Sequence, residues 1–340
     1  MLTLNMESNK HFNQIDFIRT VCCIGIILYH FSCHTASNLK PLYETINSNI
    51  GGVIVTVFFI VSGFVLYHSN KEIKSLKEFY YKRFKSIFPS FYICWFIFYV
   101  LNVIKVRTPF YAGNPLKLLL TLIGQDGYTQ LRIVNYYTVG EWFLGALIFV
   151  YALYPLLLKI FKKNDLLGLI ALIVLTSIVY LFNIPLLSPG FPGICESCLK
   201  FYMGMVIYKY MNVLNDKKVL LGSLIFFIIY TFIKIDILNT MLDMIYGLVT
   251  FILLFKKGEK VNLKCINDIS SISYQIFLFQ QQVIIHVLGI YNPSNIVHAI
   301  IVLLTCVIIT VICAQLLKKL VNRLYKTKAY IKFENAILGR

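Results

Sequence analysis

The chain has 340 residues, of which 58% are hydrophobic and 14% charged, and its formal net charge is +17. With a mean hydropathy of +0.74, it cannot be an ordinary soluble domain, and its long continuous apolar runs exclude an alternating outer-membrane barrel. The positive charge sits on lysines at the ends of those runs rather than in a nucleic-acid module, so no nucleic-acid partner is expected.

The expected fold is an all-α polytopic membrane protein, a single integral-membrane domain over residues 1–340. Apolar runs of about 17 to 22 residues predict ten transmembrane helices. They lie near 15–34, 50–68, 87–105, 140–158, 166–183, 197–212, 219–236, 237–255, 270–290 and 297–317, followed by a basic tail at 318–340.

The first run, Ile15 to His34, carries Asp16, Arg19, His30 and His34. Eleven helical steps separate Arg19 from His30, so both project from nearly one face, about 16 Å apart along the axis. His34 follows one turn later on that face, and Asp16 precedes Arg19 by one turn. An arginine at mid-bilayer costs roughly 2.5 to 3.5 kcal/mol on insertion scales, less near the end. Ionisable residues within a span therefore point to a functional site. The plainer reading is an arginine that snorkels to the interface and a histidine bonded to a neighbouring helix.

Orientation follows from the cations. Twenty-four of the 32 lysines and arginines fall before the first span, in alternate loops and in the tail, and six fall in the other loops. Arg19 and Lys200 lie within spans. This asymmetry predicts that both termini are cytoplasmic. Only Lys234, Asp236 and Asn239 separate the seventh and eighth spans, which suits either a tight extracytoplasmic turn or a single re-entrant arrangement.

Two inter-span segments stand out. Residues 69–86 are basic with an aromatic cluster, which suits either an interfacial helix on anionic membrane lipids or a cradle for a phosphorylated co-substrate. Residues 106–139 hold Tyr111, Tyr128, Tyr136 and Tyr137, the side chains of a membrane-interface belt or of a sugar-binding surface. Most of the nine cysteines read as small buried hydrophobes. Cys195 and Cys198 form one CxxC in an expected loop, a disulfide if that loop faces outward. There is no P-loop, GxGxxG, HExxH or GxSxG, and no fixed-period repeat, so a primary pump or a soluble-type hydrolase is not indicated.

Five short motifs in order resemble acyltransferase family three, the integral-membrane O-acyltransferases of bacterial surface polysaccharides. Asp16-Phe-Ile-Arg19 through His30 matches its arginine, ten residues, histidine signature. FFIVSGF (Phe58 to Phe64), KRFKSIFP (Lys82 to Pro89), EWFLGALIFVYALYP (Glu141 to Pro155) and ISYQIFLFQ (Ile272 to Gln280) resemble its later motifs. The third basic position of KRFKSIFP is Ser86, and Gln280 stands where the family has a histidine. Leu147 and Ile148 replace acidic residues of the larger branch, so the chain looks like the shorter WFL-type branch without a fused extracellular domain.

The resemblance implies a multi-pass enzyme of the cell (cytoplasmic) membrane. It would move an acyl group, most simply acetyl, from cytoplasmic acyl-CoA to a hydroxyl of a surface polysaccharide or its lipid-linked precursor. The co-substrate would be acetyl-CoA or another short acyl-CoA, with no metal. Its phosphates need cations, for which Arg19, Lys82, Arg83 and Lys85 are candidates. A pantetheine arm of about 15 to 20 Å compares with the rise from Arg19 to His30. His30 would be general base or acyl relay, since imidazole titrates near neutrality. Glu141 is the candidate partner carboxylate, with Glu196 as the other choice, although a glutamate at a helix N-terminus is also favoured by the dipole alone. His34 and Trp142 are candidate acceptor contacts. His68 is expected to be a solvated interface histidine. The rival functions are a transporter or flippase for a lipid-linked glycan or small anion, and a non-catalytic membrane scaffold.

Overall fold

The computed structural model describes residues 11–37, 39, 44, 46–130, 132–182, 193–235 and 239–340. Lys10, Lys40 and Asp236, used above for orientation and for the turn, lie outside the described residues. Among the described residues the structure is helical, with no strand beyond an isolated bridge between Glu44 and Asn49. The helices are α1 (Asn13–His34), α2 (Ile50–Ser69), α3 (Leu76–Val106), α4 (Leu118–Leu122), α5 (Asp126–Thr129), α6 (Glu141–Lys163) and α7 (Asp165–Leu181). They continue as α8 (Ile194–Lys209), α9 (Lys217–Phe232), α10 (Asn239–Gly258), α11 (Lys264–Ser270), α12 (Ser273–Ile290), α13 (Ile296–Leu324) and α14 (Lys328–Leu338).

A helix stands at each of the ten expected spans. Five of them, α1, α2, α3, α6 and α13, are long and apolar enough to cross a membrane. The others are shorter, such as α8 with 16 residues, or more polar, such as α12 with Gln280, Gln281 and Gln282 in its middle.

The chain divides into two compact units. The first holds Met1–Lys71, Leu153–Ser273 and Pro293–Ala299. Its densest packing joins α2 to α8 and depends on two glycines. A Cβ on Gly63 would lie 1.8 Å from the Phe201 carbonyl oxygen, and one on Gly204 would lie 2.0 Å from that of Ile60. Without a hydrophobic drive between helices in lipid, such close backbone approach is what holds a pair together. α1 packs against α2, α10 and α11, burying Ile18, Ile26, Ile60, Phe64 and Phe251 in one cluster. Thr20 Oγ1 donates to the Ile266 carbonyl at 3.0 Å, and Ser270 Oγ donates to Asp16 Oδ1 at 2.5 Å. These bonds fix the rotation of α1, and with it the face that carries Arg19 and His30.

The second unit holds Glu72–Ala152, Tyr274–Asn292 and Ile300–Arg340. Its longest helix within one unit, α3, begins at Leu76 because Ser75 caps it by accepting from the Glu78 amide. The basic run and the expected third span are thus one helix of 31 residues with Pro89 inside it. A proline withholds the N–H that residue i−4 would accept, here the carbonyl of Lys85. The hydroxyl of Tyr325, just past α13, donates to that carbonyl at 2.5 Å. The break in the α3 ladder is therefore where the C-terminal segment docks.

Candidate active site

In the first unit, α1 runs unbroken from Asn13 to His34, so Arg19 and His30 keep the helical register expected of them. His30 is buried and His34 exposed. Their rings lie nearly parallel, with centroids 6.5 Å apart, and Tyr29 meets His30 edge-on. Arg19 is half-buried. Asp16 is bound by Ser270 and by His11 Nε2 at 2.6 Å, so this carboxylate anchors the start of α1.

Glu196, the alternative partner carboxylate, is otherwise engaged. It lies within α8 beside Lys200 (2.5 Å), both side chains nearly fully buried, and it accepts from the Tyr180 hydroxyl. A lone buried cation is far costlier than a paired one, so Glu196 neutralises Lys200. Cys195 and Cys198 sit on that same helix as buried free thiols, which sets aside the loop disulfide. His68 is buried rather than solvated, with Nδ1 2.9 Å from the Tyr208 hydroxyl.

In the second unit, Lys82, Arg83 and Lys85 line one wall of a cavity of about 400 Å³. Lys318, Asn322 and Tyr325 line it from α13 and the turn beyond. Among the described residues, four cations and no carboxylate line this cavity. Lys82 pairs with Glu78 at 3.2 Å. Lys85 pairs with both oxygens of Glu334 on α14, at 2.9 and 3.0 Å, and lies over the Tyr325 and Tyr330 rings. The Arg83 guanidinium faces the Phe79 and Tyr151 rings, and its buried Nε has no hydrogen-bond acceptor among the described residues. A buried donor of that kind is costly unless an anion completes it.

Glu141 does not line that cavity. It begins α6 with φ of +41°, a left-handed backbone seldom adopted by non-glycine residues. Its backbone packs tightly on Gly127, where a Cβ would lie 2.3 Å from the Glu141 carbonyl oxygen. The side chain is held from α12: Gln280 Nε2 donates to Glu141 Oε1 at 2.9 Å. The next two glutamines bind the approach to Glu141, Gln281 accepting from the Tyr137 hydroxyl and Gln282 donating to the Thr138 carbonyl. Trp142 is half-buried beside Phe143.

Of the tyrosines of 106–139, Tyr111, Tyr128 and Tyr137 are half-buried. Tyr136 is fully buried and donates to the Gly113 carbonyl, and it contacts Tyr111 and Tyr99. In the same segment Asp126 is 1% exposed, with Gly127 N and Thr121 Oγ1 donating to its carboxyl. Burial outweighs those bonds and pushes its pKa up to about 7.

The Gln280–Glu141 bond and the α13 wall of the cavity escape a reading of the sequence alone. Gln280 registers there only as a replaced histidine, and Lys318 only as one of many tail cations. Among the described residues no group of three or more His, Cys, Asp or Glu is placed to hold a metal.

A family model for the acyltransferase domain matches residues 12–317. No curated protein and no solved structure matches the chain. The match covers most of the chain and spans α1 and its Arg19–His30 face, the α3 basic run, the Glu141 turn and Gln280. The chain belongs to acyltransferase family 3 and is a multi-pass membrane acyltransferase.

Proposed function

We propose that the protein is an O-acyltransferase of the cell membrane, of the shorter WFL-type branch and with both termini cytoplasmic. It takes a short acyl group, most simply acetyl, from acyl-CoA to a hydroxyl of a surface polysaccharide or its lipid-linked precursor. The observation that carries the donor assignment is the cavity at Lys82, Arg83 and Lys85, with its four cations and the buried Arg83 Nε. That donor set suits a phosphate-rich ligand, because guanidinium and ammonium groups are the side chains that hold phosphate.

An acyl thioester supplies an activated carbonyl and a good leaving group. His30, buried near the end of α1, takes the proton of the acceptor hydroxyl as that oxygen attacks, and returns it to the departing sulfur. Arg19, about 16 Å along the same helix, contributes positive charge for the donor. Glu141, held by Gln280, is the candidate acceptor-binding carboxylate, and Trp142 and His34 are candidate acceptor contacts. A fixed Glu141 fits such a role, since a positioned carboxylate needs its own rotamer locked.

The direct test is coenzyme A binding by purified protein in lipid nanodiscs. Saturable binding by the wild type, weakened about tenfold or more by Arg83→Ala, supports the reading. Absence of wild-type binding overturns the donor assignment.

A further inference from the structure

The family match ends at residue 317, but α13 continues to Leu324. Lys318, Asn322 and Tyr325 follow at intervals of four and three and so share one stripe. That stripe is the second wall of the cationic cavity. The wall is fastened rather than loose. Tyr325 fills the hydrogen bond that Pro89 takes from Lys85, the Tyr81 and Tyr330 hydroxyls meet at 3.3 Å, and Glu334 holds Lys85. Lys319 is adjacent to Lys318 in sequence but is exposed and outside the cavity.

We propose that Lys318 and Asn322 are donor-binding residues that grip the phosphate end of the acyl donor opposite Lys82 and Arg83. This rests on the donor reading above and adds a binding wall supplied by the segment beyond the family match. Its chemistry is that of a phosphate clamp: the ammonium of Lys318 supplies a point charge and the amide of Asn322 a neutral donor. Lys82 pairs with Glu78 and Lys85 with Glu334 on the first wall. The second wall adds a cation across the cavity. The plainer account of Lys318, a positive-inside lysine at a helix end, applies equally to Lys319. The pair is therefore its own control.

The experiment is a titration of full-length protein in nanodiscs with coenzyme A, at low and at high salt, comparing wild type, Lys318→Ala and Lys319→Ala. The expected result is a Kd raised about tenfold for Lys318→Ala, little change for Lys319→Ala, and a smaller difference at high salt. If Lys318→Ala loses its fold, Asn322→Asp serves instead. It places a carboxylate at an exposed position of the same wall and is expected to weaken coenzyme A binding at least as much. Equal effects of the two lysine substitutions, or none from either Lys318→Ala or Asn322→Asp, overturn the second wall while leaving the donor reading intact. Failure of the wild type to bind coenzyme A overturns the donor reading itself.

Discussion

Gln280 donates a 2.9 Å hydrogen bond to Glu141, joining α12 to the start of α6 across 139 residues of chain. Gln280 is fully buried, and Glu141 has a left-handed backbone. The amide does for this carboxylate what a neutral histidine can also do, donating one N–H to one oxygen. A glutamine at this position therefore supplies the hydrogen bond without a titrating ring.

Gln280→Ala is expected to lower the turnover number by about ten- to a hundredfold, the loss of a hydrogen bond to a charged group, with the KM for the acyl donor little changed. Gln280→His should retain much of the activity. Steady-state kinetics with matched melting temperatures checks both. Unaltered turnover in Gln280→Ala would mean that Glu141 needs no positioning.

Asp126 predicts a pH dependence of stability. Its pKa is raised from an ordinary 3.8 to about 7, so the folded protein holds a proton that the unfolded chain releases. The stability this gives is full below about pH 4 and is lost as pH rises through about 7, on the order of 4 kcal/mol in all. Thermal unfolding of the purified protein across this range should show wild-type stability falling with pH and a flatter profile for Asp126→Asn. Equal slopes would contradict the assignment.

The buried pair in α8 makes a third prediction. Lys200→Met leaves Glu196 uncompensated and should cost about 3–5 kcal/mol, whereas Lys200→Met with Glu196→Leu should recover much of that loss. The melting temperature in detergent decides. A single substitution as stable as the double one would show that the pair is solvated.

Hydropathy is a local property, and the features it governs were legible in the sequence. The ten apolar runs each became a helix, and the spacing of Arg19 and His30 set a common face because α1 has no break. What hydropathy does not encode was missed. The start of α3 at Leu76 depends on the Ser75 cap, and the buried state of His68 depends on Tyr208 and Phe12. Cys195 lies on a helix because α8 begins at Ile194, earlier than its apolar run suggests. The Glu141–Gln280 bond and the Lys318–Asn322 wall are tertiary meetings between distant segments, for which a single sequence carries no periodic signal.

The central claim is acyl transfer with His30 at the chemistry, and the most direct test is the O-acyl ester content of the cell's surface polysaccharide. Wild type, a deletion strain and a His30→Ala strain would be compared at matched protein levels. The expected result is loss of one ester in both mutant strains, with the His30→Ala protein inserted and folded. An ester retained in His30→Ala but lost in the deletion would reduce His30 to a structural residue. Unchanged ester content in both strains, with polysaccharide export reduced, would contradict acyl transfer and favour transport.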